Sequence, residues 1–197
     1  MGSVGWITDP FTVRFSTNNP DIHIGRHAVS IDEGRCFSRQ NLWRKPGPGQ
    51  NYKQVWFAGV HSDVGGGYPE QQSGLTINRD DLAEVLGKSA GSSYAPVDAS
   101  GELHNSMKGA WKILEYLPRR HWNGQLKPTE WILYRKRPRS IAAGSVLHQA
   151  VLDRLNDRST NYNPPNLPKD YNVDPWSVWP VAQPYGNGGP AVFHQSA

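Results

Sequence analysis

Cys36 is the only cysteine among 197 residues, so no intrachain disulfide can form and the chain suits a reducing compartment. Nothing around it marks a nucleophile, and it reads as a small buried hydrophobe. No stretch approaches the roughly 20 apolar residues that a membrane-spanning helix needs. The first residues lack the basic segment and apolar core of a signal peptide. The expected location is therefore cytoplasmic, or outside the cell by a signal-independent secretion system, which would leave no such mark. No pair of His or Cys side chains has zinc-ligand spacing, so neither a metal nor another cofactor is expected. Charge of one sign is also scarce: 21 Lys and Arg against 17 Asp and Glu leave a net charge of +4. With no arginine stripe and no RNA-binding motif, nucleic acid is not an expected partner. No internal repeat is visible.

Apolar residues make up only 37% of the chain, against 20 Gly and 16 Pro, which describes a loop-rich protein. Eight Trp and eight Tyr are the opposite of a disorder signature. A single domain of this length buries about 70% of the surface of its unfolded chain, so size does not forbid an independent fold. The local run Arg135-Lys136-Arg137-Pro138-Arg139 reads as a solvated edge or as a surface for anionic lipid.

The most informative stretch runs from Val55 to Tyr68. An apolar run over Gln54–Ala58, bounded by Gly59, predicts a strand covered on both faces, as in a parallel sheet. Ligands and catalytic groups collect beyond the carboxyl ends of such strands, where His61 and Asp63 follow. Gly65, Gly66 and Gly67 come next and would keep the loop open to substrate. The same residues also read as a turn in which His61 or Asp63 caps the backbone and the glycines reverse the chain. As metal ligands His61 and Asp63 are only two, which is not a site.

Val55 to Tyr68 resembles the signature of bacterial and fungal α/β-hydrolases related to type VI secretion phospholipase effectors. Val4-Gly5-Trp6, Gly25 through Glu33, Phe37 through Trp43, Leu103-His104-Asn105-Ser106, Leu117 through Trp122 and Tyr162 through Pro168 continue the likeness over most of the chain. The resemblance implies that His61 is the histidine of a Ser-Asp-His triad acting on an ester. It implies a phospholipid or ester substrate if the domain is completed, and an upstream fragment or a secretion or immunity partner.

Two departures qualify this. The family's nucleophile elbow, Gly-Phe-Ser-Arg-Gly, precedes the histidine and is absent here, so no nucleophile is assigned. Between Leu75 and Thr76 the family carries a further helix. The chain thus reads as the C-terminal part of a hydrolase with an internal deletion, inactive alone. One Gly-x-Ser-x-Gly does occur, Gly87 to Gly91 around Ser89, but an elbow needs a strand before the serine and a helix after it. Here Asn78 to Leu86 predicts a helix, with Asn78 as N-cap, Asp80 and Asp81 in its first turn and Gly87 as its C-cap.

The fold class these signals predict is α/β: an incomplete, loop-rich α/β-hydrolase-like three-layer fold, with a parallel sheet and flanking helices. Residues 1–155 form the hydrolase-like part and 156–197 a Pro-, Asn- and Gly-rich tail without a clear element. Residues 1–21 read as strand edge and loop, and 22–44 fit strand or helix. A helix is predicted over Asn105–Leu117 with Met107, Ala110, Trp111, Leu114 and Leu117 on one face. A strand follows at Trp131–Arg135, then a helix from about Ser145 to Leu155. His104, His121 and His148 lie beside these elements and read as structural. His61 is the expected general base and Asp63 the residue orienting it or its loop. The competing readings are a non-catalytic domain binding a partner or lipid surface through aromatic and basic loops, and a remnant of a truncated gene.

Overall fold

A computed structural model describes residues 2–6, 9–13, 17, 19–35, 38, 41–69, 98–121, 130–133 and 135–174. The expected helix at Asn78–Leu86, Ser89 and Cys36 lie outside the described residues. At the centre is a four-stranded sheet built from β3 (Ile24–Ser30), β4 (Asn51–Phe57), β7 (Ser145–His148) and β8 (Tyr171–Asp174), in that spatial order. Every neighbouring pair in it is parallel. The register runs from Ile24 beside Asn51 to Ser30 beside Phe57, then Trp56 beside Leu147 and His148 beside Asp174. Flanking helices are α1 (His61–Gly65), α2 (Ala110–Leu114) and α3 (Gln149–Asn156). This is the α/β architecture predicted, in an incomplete form.

Strand β4 shows why the apolar run forms a strand. Alternate side chains point to opposite faces, and here both faces are covered. Val55 and Phe57 pack with Val64, Ala28 and Val146 on one side. Trp56 and Ala58 pack on the other with Val29, Ile31, Leu147 and Val151. The strand–strand ladder continues beyond β3, with the Ile31 amide donating to the Phe57 carbonyl at 2.9 Å and Asp32 to Gly59 at 3.0 Å. The chain therefore leaves the carboxyl ends of β3 and β4 locked together, and both exits carry acids.

Among the described residues there are also two small antiparallel hairpins: β1 (Gly2–Trp6) with β2 (Asp9–Val13), and β5 (Arg119–His121) with β6 (Glu130–Ile132). Pro10, which cannot donate to a ladder, sits opposite Gly5 on this two-stranded edge.

Four sequence expectations change. The helix expected over Asn105–Leu117 spans only Ala110–Leu114. Its start is displaced because Asn105 Oδ1 accepts the Met107 amide at 2.9 Å in a local turn, and Gly109 takes a φ of 60° just ahead of the helix. The helix expected from Ser145 begins at Gln149, because Ser145–His148 is captured as a parallel strand between β4 and β8. The strand expected at Trp131–Arg135 lies at Glu130–Ile132. The stretch from residue 156, read as lacking an element, supplies β8. It also covers the sheet: Tyr162, Leu167 and Tyr171 pack on the core, Tyr162 donates to Asp32 Oδ2 at 2.8 Å, and Asn166 Nδ2 donates to the Ile31 and Arg139 carbonyls. No helix among the described residues is long and apolar enough to cross a membrane.

Candidate active site

Gly59 turns the chain off β4 with a φ of +107°. A Cβ there would lie 2.7 Å from that of Asp63, so a glycine is required on two counts. Val60 is extended, and α1 begins at His61. Asp63, 2% exposed, reaches back so that Oδ2 accepts the Val60 amide at 2.8 Å. This is the reach-back half of a capping box. Gly66, in the left-handed region at φ 77°, ends the helix, and the Gly67 amide donates to the Ser62 carbonyl at 2.8 Å. Gly65 to Gly67 thus close a short helix and do not line the cavity described below.

The histidine held by Asp63 is His104. Its Nδ1 donates to Asp63 Oδ1 at 2.6 Å, and its backbone amide donates to Oδ2 at 3.3 Å. The ring is 6% exposed. The Tyr68 ring stacks on it with centroids 3.7 Å apart and an interplanar angle of 13°. His104 Nε2 is buried without a hydrogen-bond partner among the described residues. A neutral imidazole that donates from Nδ1 carries its lone pair on Nε2. The arrangement is a carboxylate-oriented base with its accepting nitrogen unspent. His61, expected in that place, is exposed at the start of α1. Among the described residues its link to the site is its backbone amide, which donates to Glu33 Oε2 at 3.2 Å.

Glu33, beyond the end of β3, ties the site together. Its carboxylate accepts from the Arg35 amide, Nε and Nη2 at 2.9, 3.0 and 2.8 Å and from Ser106 Oγ at 2.8 Å. Burial pushes its pKa up, but the bonds from Arg35 and Ser106 and the Arg35 charge outweigh this and hold it at about 2. One buried carboxylate thereby fastens the residue two places before Asp63 to the residue two places after His104. Neighbouring Asp32 performs a parallel task, its Oδ2 accepting the Gly59 amide at 2.7 Å. Burial, against the Gly59 and Tyr162 hydrogen bonds, raises its pKa.

A cavity of about 270 Å³ lies at this end of the sheet, its walls including Asp32, Glu33, Val60, His104, Ser106 and Lys136. Among the described residues no group of three or more His, Cys, Asp or Glu is placed to hold a metal ion.

The second cluster of buried polar groups has another character. His148, the last residue of β7, stacks on Phe57 with centroids 4.6 Å apart. Its Nδ1 accepts the Ala150 amide at 3.2 Å and so caps α3. Burial lowers its pKa, against the pull of Asp174. His148 is thus spent on capping and stacking, whereas His104 is paired with Asp63.

Ligands of α/β sheets gather beyond the carboxyl ends of the strands, and the buried Asp63–His104 pair lies at that end of this one. A family model for the catalytic domain of Tle1-like phospholipase effectors of the type VI secretion system matches residues 1–87. That part of the chain is related to those effectors. The match includes Glu33, His61 and Asp63 and stops short of His104. No curated protein and no solved structure matches the chain.

Proposed function

We propose that the chain supplies the acid–base half of a serine-hydrolase site that cleaves a carboxylic ester of a phospholipid. The observation that carries this is the Asp63–His104 pair, closed at 2.6 Å, with Nε2 buried and without a hydrogen-bond partner among the described residues and His104 among the residues that line the cavity. Asp63 fixes the ring and its tautomer. His104 Nε2 takes the proton of a serine hydroxyl as the oxygen attacks the ester carbonyl, then returns it to the leaving alkoxide. Water repeats the cycle on the acyl-serine. Asp63 keeps the orienting role that the sequence gave it, and His104 replaces His61 as base. Phospholipid as substrate rests on the name of the matching family. Export by a signal-independent system and an immunity partner belong to the same reading.

Among the described residues no serine hydroxyl is bonded to His104 Nε2. Ser106, the serine nearest in sequence to His104, commits its hydroxyl to Glu33. The sequence carries no Gly-Phe-Ser-Arg-Gly elbow, so the chain alone is expected to show no release of fatty acid above background. Co-expression with an upstream segment carrying a Gly-Phe-Ser-Arg-Gly elbow should restore it. In that complex His104→Ala should lose about 10³-fold or more in kcat, whereas His61→Ala should stay within a few-fold of the parent. Phospholipid turnover by the pure chain, or a complex indifferent to His104→Ala, would overturn the proposal.

A further inference from the structure

Helix α2 is inverted. Its inward side carries Leu114, half-buried, and leads to buried Glu115. The outward arc of the helix and of the turn that follows it holds Ile113, 69% exposed, Tyr116, 66% exposed, and Leu117, with exposed Lys112 among them. A helix that merely borders solvent shows the opposite pattern, with polar residues outward. Trp111, also partly exposed, continues the patch toward Arg35, whose guanidinium lies 5.3 Å from its ring centroid.

The surroundings are cationic. Lys108, Lys112, Arg135, Lys136 and Arg137 are all exposed. The only acid in 105–118 and 135–139 is Glu115, which is 1% exposed and offers no charge to an approaching surface. Glu115 instead fastens the basic loop to the helix. Its carbonyl accepts the Arg135 amide at 3.4 Å and its Oε2 accepts the Lys136 amide at 3.2 Å. Arg135 and Lys136 are held in the left-handed region at φ 48° and 56°, a conformation that costs non-glycine residues energy and persists only where the surroundings impose it. The structure thus holds a basic loop beside the carboxyl end of α2. Lys136 is common to this surface and to the wall of the His104 cavity.

We propose that the outward face of α2 and the Arg135–Arg137 loop form the surface by which the chain docks on an anionic phospholipid bilayer, with the His104 cavity beside the point of contact. Ile113, Tyr116 and Leu117 would enter the headgroup boundary while the lysines and arginines meet lipid phosphates. The choice of a bilayer as occupant rests on charge complementarity and on the phospholipid reading above. The docking itself does not require the Asp63–His104 pair to be catalytic.

The test is cosedimentation of the full chain with vesicles of phosphatidylcholine alone or mixed with phosphatidylglycerol. The mixed vesicles should bind it, more weakly as salt is raised. Replacing both Ile113 and Tyr116 by Glu should weaken binding at least about tenfold. A second variant, Lys112→Glu with Arg137→Glu, should do the same through charge alone. All four side chains are exposed, so circular dichroism should show parental unfolding midpoints. His104→Ala should bind like the parent, which separates docking from hydrolysis. Equal binding to neutral vesicles, or binding unchanged in both double variants, would overturn the proposal. So would a dimer in light scattering that these variants dissociate, without vesicle binding in the parent, since a second copy would then be the occupant.

Discussion

Glu33 makes the clearest prediction at the scale of single residues. Its carboxyl is held at about 2, below its ordinary 4.5. A folded value below the unfolded one means that the ionised carboxylate stabilises the fold fully above pH 4.5 and loses that contribution as pH falls toward 2. Glu33→Gln removes the charge and keeps the shape. Urea midpoints should therefore separate the variant from the parent at neutral pH and converge as the medium is acidified through this window. A separation that stays constant down to the acid limit would show that Glu33 gains nothing from its ionised bonds to Arg35 and Ser106. At this scale the sequence singled out Asp63, because a short polar pair after an apolar strand is a local signal. It did not disclose His104. The two residues are 41 positions apart, and only the return of the chain to the ends of β3 and β4 brings them together. The trace that could have found it was Leu103-His104-Asn105-Ser106, a polar triplet whose His and Ser are both buried.

Elements are where sequence and structure agree unevenly. Strand β4 was legible because Val55-Trp56-Phe57 has no polar side to give to water. Strand β7 was not: Val146 and Leu147 also fit the apolar stripe of the helix that follows. Four residues are too few for a period to declare itself. Strand β8 was hidden by the Pro and Asn residues before it. Two substitutions test how these elements hold the site. Leu147 is fully buried between β4 and β8, so Leu147→Ala should lower stability by about 2–5 kcal/mol, measured by urea unfolding. A loss near zero would mean that β7 is not part of the core. Gly59→Ala meets both a φ of +107° and a contact of 2.7 Å with Asp63 Cβ. Backbone strain alone should cost about 1–3 kcal/mol, and the displaced Asp63 should loosen His104. An unfolding midpoint unchanged by Gly59→Ala would show that the turn tolerates a side chain.

On the scale of the whole molecule, four parallel strands place the acids after β3, the Asp63 helix after β4 and the Asp32-bound Tyr162 segment at one end of one sheet. That convergence follows from parallel topology, since every strand exits on the same side. The α/β class was readable from one doubly covered strand and its glycine exit, whereas the partner of Asp63 required the assembled sheet. If His104 is the base proposed, its Nε2, buried and without a partner among the described residues, carries the lone pair, and this can be measured on the chain without a nucleophile. Nitrogen-15 NMR of the histidine rings reports which ring nitrogen carries the proton. Neutral His104 is expected to be protonated on Nδ1, with that proton hydrogen-bonded to Asp63, and Asp63→Asn should abolish this signature while His61 is unaffected. A His104 protonated on Nε2, or a His61 ring that responds to Asp63→Asn while His104 does not, would contradict the proposal.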